Sequence, residues 1–226
     1  MACLWITPGS ESLPAQEAFT TPRSWEYSAP LIAPENRTTD RSRAQKDPTV
    51  VFHDGRWHVF MTVKLPGRSA IEHCSFALWE NAHSAARTVL GVSDSDYYCA
   101  PQVFWFEPHK KWYLVYQMGV PGAKMMWVAY STTKTIADRL DGVWRPIADT
   151  FEKPFASARN IRPAKGVSRW TDNVSHGELI RDGVDQTLTI DPDNLRFIFQ
   201  GMLEKDKRRK GYGDFNWRIG MLTPAE

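Results

Sequence analysis

Lys46-Asp47-Pro48-Thr49-Val50-Val51-Phe52-His53-Asp54-Gly55-Arg56-Trp57-His58-Val59-Phe60 decides how this chain is read. Val50 to Phe52 and Trp57 to Phe60 are β-prone runs separated by Asp54-Gly55, a strong short-range signal for a hairpin turn. Asp47 stands at the mouth of the first strand. Pro48 fixes its own φ and biases the residue before it toward extended backbone, so Asp47 is expected to be extended. A carboxylate that begins the innermost strand of a sheet can point into a central cavity. The competing reading is an Asp that only caps a loop.

An echo of this unit follows. Val103-Phe104-Trp105-Phe106 and Lys111-Trp112-Tyr113-Leu114-Val115-Tyr116 repeat the strand, polar turn, strand order. A looser third copy pairs Gly177-Glu178-Leu179-Ile180 with Gln186-Thr187-Leu188-Thr189-Ile190, followed by Leu195 to Phe199. Such units at intervals of tens of residues suit the blades of a β-propeller, although a β-sandwich would give a similar pattern. Helical signals are confined to Ser84–Leu90 and Thr133–Leu140, a turn or two each, so the chain reads as all-β. Residues 1–44, rich in Pro, Ser, Thr and Glu, read as an N-terminal arm that packs one strand at most, and 45–226 as a single domain.

Composition narrows the function. The 226 residues are 42% hydrophobic and 24% charged, which fits a folded globular domain with a real core. A net charge of +2 gives no reason to expect nucleic acid or a membrane surface as partner. Lys205 to Lys210 is a short run of mixed sign and reads as a solvated loop. No window approaches the roughly 18 apolar residues of a spanning helix. The first residues lack the charged and apolar regions of a secretory signal. Three cysteines allow at most one disulfide, with Cys74 and Cys99 the better pair. Ten Trp, eleven Phe and seven Tyr suit a β-rich core, and equally the stacking of flat sugar faces on rings.

Several stretches resemble glycoside hydrolase family sixty-two: Lys46 to Val51, Ala100-Pro101-Gln102-Val103-Phe104, Lys111 to Gln117, Trp170-Thr171-Asp172-Asn173-Val174-Ser175-His176-Gly177-Glu178-Leu179-Ile180-Arg181, Asp185 to Ile190 and Trp217 to Thr223. The resemblance implies a five-bladed β-propeller and an α-L-arabinofuranosidase that removes arabinose side chains from arabinoxylan with inversion. It implies Asp47 as the general base. It also implies substrate contacts at Lys46, Gln102, His176, Arg181, Tyr212, Asn216 and Trp217. His176 resembles a histidine associated with an axial calcium or the sugar pocket, so a structural calcium is a candidate although the chemistry requires no cofactor. Relatives of this kind are expected to act outside the cell, as monomers.

One departure stands out. The chain passes from Asp138 to Arg139 where the family has further blades, so about three blades' worth of sequence is expected. The general acid is not found: neither Glu152 nor Glu178 sits in its motif. An inverting glycosidase needs both an acid and a base. Three readings therefore stay open: an arabinofuranosidase, a carbohydrate-binding remnant without the acid, and a misassembled product.

Overall fold

Alternating apolar residues and tight turns lay the chain out as strands, and a computed structural model describes residues 22–35, 37–119, 126–132, 154–208 and 210–225. In chain order these form β1 (Trp25–Tyr27), β2 (Ala44–His53), β3 (Arg56–Leu65), β4 (Arg68–Phe76), β5 (Arg87–Val89), β6 (Tyr98–Phe106), β7 (Lys111–Gly119), β8 (Met126–Thr132), β9 (Ile161–Pro163), β10 (Asn173–Leu179), β11 (Phe197–Met202) and β12 (Arg218–Pro224). The remaining regular pieces are short 3₁₀ turns, and there is no α-helix among the described residues. Asp138, Arg139, Glu152 and the helical turn expected over 133–140 lie outside them.

The strands make three sheets, ordered β2-β3-β4-β5, β6-β7-β8 and β10-β11-β12-β1-β9. Asp54 and Gly55 turn β2 into β3 with φ of 48° and 72°, the positive pair that a two-residue hairpin loop needs. His53 then faces Arg56, and the register follows from the turn. The N-terminal arm supplies β1, which runs antiparallel to β12 and parallel to β9, closing the last sheet with an early segment of the chain.

The first sheet is packed on both faces. Val50, Val59, Met61, Cys74 and Phe76 meet Ile198, Ile219 and Met221 of the third sheet, together with Ile32 and Ile180 beside it. Val51, Val63, Leu65 and Ile71 meet Tyr98, Val103, Leu114 and Tyr116 of the second. Because neighbours along a strand point to opposite faces, the doublet Val50-Val51 serves both cores at once.

β2, β6 and β10, the strands that open the three main strand runs, converge at the centre. Thr49 Oγ1 donates to Glu178, and accepts from Gln102 Nε2 at 3.2 Å and from the Val103 amide at 3.4 Å. Gln102 also donates to Glu178 at 3.0 Å. Arg181 pairs with Glu178 and donates to the Val103 carbonyl at 2.8 Å. The Trp105 amide reaches the Val184 carbonyl at 2.8 Å, which joins β6 to the loop after β10.

Three expectations are corrected. Residues 186–190 form no strand beyond a bridge from Ile190 to Arg181, because Leu188 takes φ 52° and is exposed while Asp185 folds back onto Thr187. Residues 84–90 carry no helix; Arg87–Val89 pair with β4 instead. Cys74 and Cys99 are both buried and unbridged: β4 places Cys74 in the core against the third sheet, and β6 places Cys99 beside Asp47, Tyr97 and Lys64.

Candidate active site

All three inner strands are interrupted at matching places. Register shifts fall between Lys46 and Thr49 on β2, between Cys99 and Gln102 on β6, and between Ser175 and Gly177 on β10. The residues displaced there include Asp47, Ala100 and His176. A bulge re-aims a side chain and commonly does so beside a functional site. Asp47 has φ 50° and Ala100 φ 52°, each followed by proline. The extended backbone expected at Asp47 is thus overturned. Its amide turns inward to donate to Gln200 Oε1 at 2.6 Å, a bond that outweighs the bias imposed by Pro48.

That turn delivers the Asp47 carboxylate to a polar cluster, where it is 8% exposed. Oδ2 accepts from Thr62 Oγ1 at 2.8 Å and lies 3.7 Å from Lys46 Nζ; Oδ1 lies 3.4 Å from His176 Nδ1. Thr62 Oγ1 accepts in turn from the Ala100 amide at 2.8 Å, so one hydroxyl ties the first bulge to the second. Tyr212 is exposed and lies with its ring 4.9 Å from Lys46 Nζ. Lys46, Asp47, His176 and Tyr212 therefore come together as the sequence suggests. His176 is mostly exposed at this mouth.

The other expected contacts stand elsewhere. Gln102 and Arg181 spend their donors on Thr49, Glu178 and the Val103 carbonyl, and Arg181 is 5% exposed. Trp217 is buried with Ala44 and Met202, a core position rather than a stacking platform. Asn216 is exposed beside it. Glu178 is held by Arg181, Thr49 and Gln102, which suits a paired structural carboxylate.

Four further residues belong to the cluster: Thr62, Lys64, Tyr97 and Gln200. Lys64 Nζ donates to Ser69 Oγ at 2.5 Å and Tyr97 Oη at 3.4 Å. Burial, followed by the Lys46 charge, holds Lys64 below the usual lysine pKa. Burial, with Cys99 next, pushes the Tyr97 phenol up to about 12. Burial and then Asp47 raise the Cys99 thiol. Thr62 could have been found from the hairpin, since the register set by the Asp54-Gly55 turn runs it opposite Asp47 before the bulge shifts its partner to Lys46. Gln200 lies 153 positions from Asp47 and leaves no local signal.

Calcium does not fit this donor set. The ion takes six to eight oxygen ligands, and His176 offers an imidazole with Asp47 and Ser175 beside it. Among the described residues no three His, Cys, Asp or Glu side chains are grouped to hold a metal. A cavity of about 340 Å³ lined by Val51, His53, Phe60, Trp112 and Leu114 opens at the opposite end of β2. Its nearest β2 lining residue, Val51, is four positions from Asp47, at most about 13 Å along the strand at ~3.3 Å per residue. Its apolar walls set it apart from the carboxylate chemistry.

Comparison with known proteins bears on this geometry. The model of Glycosyl hydrolase family 62 matches residues 122–223. Alpha-L-arabinofuranosidase C of Cellvibrio japonicus is 27% identical over 299 residues, an alignment covering 89% of this chain and 47% of that protein. The chain thus spans about half the length of the curated relative it matches. The catalytic domain of a GH62 α-L-arabinofuranosidase from Coprinopsis cinerea superposes with a TM-score of 0.72 at 27% identity, covering 90% of this chain and 98% of that one. An α-L-arabinofuranosidase from Podospora anserina, solved with cellotriose, gives 0.72 at 23% identity over 90% and 97%. A GH62 hydrolase solved with xylotriose gives 0.68 at 21% identity over 88% and 96%.

Proposed function

We propose that the chain is a member of glycosyl hydrolase family 62 and acts on arabinofuranosyl side chains of arabinoxylan, with Asp47 as the general base of an inverting hydrolysis. The match of residues 122–223 and the superposition on a GH62 catalytic domain support this reading. The observation that carries this reading is the bulge at Asp47. It sets a nearly buried carboxylate at φ 50° between Lys46, Thr62 and His176, with Tyr212 exposed at the rim. A base in such a reaction takes a proton from water, and that water attacks the anomeric carbon from the face opposite the leaving oxygen. Thr62 fixes the carboxylate's orientation, and the Lys46 ammonium stands beside it at 3.7 Å. Lys46, His176 and Tyr212 are the proposed sugar contacts, and the chain is proposed to work as a monomer on polysaccharide outside the cell.

The leaving oxygen also needs a proton, and Glu178 is poorly suited to give it, being bound to Arg181, Thr49 and Gln102. That engagement favours a second reading: a domain that holds arabinoxylan without cleaving it. Incubating folded protein with arabinoxylan and measuring free arabinose separates the two. Release that falls at least ~10²-fold in Asp47→Ala supports the hydrolase. Saturable binding without release supports the second reading, and neither result from well-folded protein sinks both.

A further inference from the structure

Lys64 carries a charge that the reading above leaves without a role. Its side chain is 9% exposed, and both groups that accept from its ammonium, Ser69 Oγ and Tyr97 Oη, are neutral. Among the described residues no carboxylate stands within 4 Å of it. Asp47, on the same side of the molecule, already faces Lys46 at 3.7 Å and accepts from Thr62. Among the described residues two ammonium groups therefore share one carboxylate. Lysine is almost never buried unless paired, and a buried charge lacking a counter-ion is costly.

The rest of the wall matches this imbalance. Tyr97 is 37% exposed and its phenol, held up to about 12, stays a donor at any ordinary pH. Lys64 Nζ lies 4.4 Å from the Tyr97 ring centroid, and Lys46 is placed similarly beneath Tyr212. Two partly exposed rings offer surface for a sugar, while the groups behind them supply donors and an excess of positive charge. A neutral pentose would leave that excess uncompensated.

We propose that the Asp47 site grips a saccharide bearing a carboxylate, a uronic acid residue, with that carboxylate seated on Lys64 and Tyr97. The inference rests on the carbohydrate reading of the site and narrows it to chains that carry an acidic substituent beside the arabinosyl one. Calorimetry on the folded protein tests it with three probes: a neutral arabinosylated xylo-oligosaccharide, one of equal length carrying a glucuronic acid, and acetate. The acidic oligosaccharide is expected to bind at least ten-fold tighter than the neutral one. Lys64→Met should erase that advantage, Tyr97→Phe should reduce it, and 0.5 M salt should shrink it. Near-UV circular dichroism establishes that each variant is folded, and Tyr97→Phe keeps the test open should Lys64→Met not be. Equal affinity for the two oligosaccharides, or an advantage that survives both variants, overturns the proposal and leaves the arabinoxylan reading standing. Acetate binding as tightly as the acidic oligosaccharide also overturns it, in favour of a bare anion hole. Binding of neither oligosaccharide defeats both readings together.

Discussion

Asp47 holds a left-handed backbone at a position already restricted by the proline after it, a conformation that costs on the order of 1–3 kcal/mol. The Gln200 bond and the Thr62 hydroxyl fix it there, and the result is a carboxylate aimed at the mouth of the fold. A second residue-scale device sits away from the site. His58 and His73 stack with Nδ1 and Nε2 3.2 Å apart, and burial, then the His58 charge, depress His73 to about 4. The unfolded chain takes up that proton near pH 6.5, the folded one only near 4. Between those values the unfolded state binds more protons, so stability falls as pH drops through the window. A loss of roughly 1–3 kcal/mol is expected from pH 6.5 to 4, read as a falling urea midpoint; the loss should flatten in His73→Gln. At this scale the sequence makes Asp47 and Lys46 visible through their motif. Gln200 and the bulge stay hidden because a contact across 153 positions decides them, against the local preference set by Pro48.

Hairpins are the most legible elements, since Asp54-Gly55 and the strict alternation around it determine turn, register and facing together. The misread strand at 186–190 had the right alternation in Leu188 and Ile190, but among the described residues no neighbouring strand accepts it beyond the bridge from Ile190 to Arg181. Gln102, Arg181 and Trp217 were polar or aromatic in suggestive places, yet their partners lie inside the protein. Periodicity reports which face is buried and says nothing of what a buried polar group binds. The bulge on β10 depends on Gly177, where a Cβ would run into the Ile198 carbonyl and come within 2.7 Å of the Phe197 ring. Gly177→Ala should therefore push β10 away from β11 and cost about 1–3 kcal/mol. Chemical denaturation measures the loss, and a change in saccharide affinity shows whether His176 has moved with the strand.

Three sheets described over a 226-residue chain stand against a relative whose alignment runs to 299 residues. The alignment exceeds the whole chain by 73, so at least that many of its positions have no counterpart here. What unites the described sheets is the centre, where Thr49, Gln102, Glu178 and Arg181 tie β2, β6 and β10 into one hydrogen-bonded knot. Removing one partner of such an ion pair leaves the other charge buried. Arg181→Met is accordingly expected to cost about 3–5 kcal/mol and to loosen all three sheets together, seen as one cooperative transition at lower urea. Separate transitions for separate probes would mean that the knot does not couple them.

The two unbridged cysteines give that question a reporter. Cys74 lies in the core between the first and third sheets, with its thiol pushed up to about 12 by burial, and Cys99 lies beside Lys64 and Asp47. A thiol reagent can label either only after the surrounding packing opens, since reaction needs an accessible thiolate. With Cys3 replaced by serine, the labelling rate at Cys74 becomes a clock for separation of the sheets. The rate at Cys99 becomes a separate clock for breathing of the pocket, and a bound saccharide should slow the second more than the first.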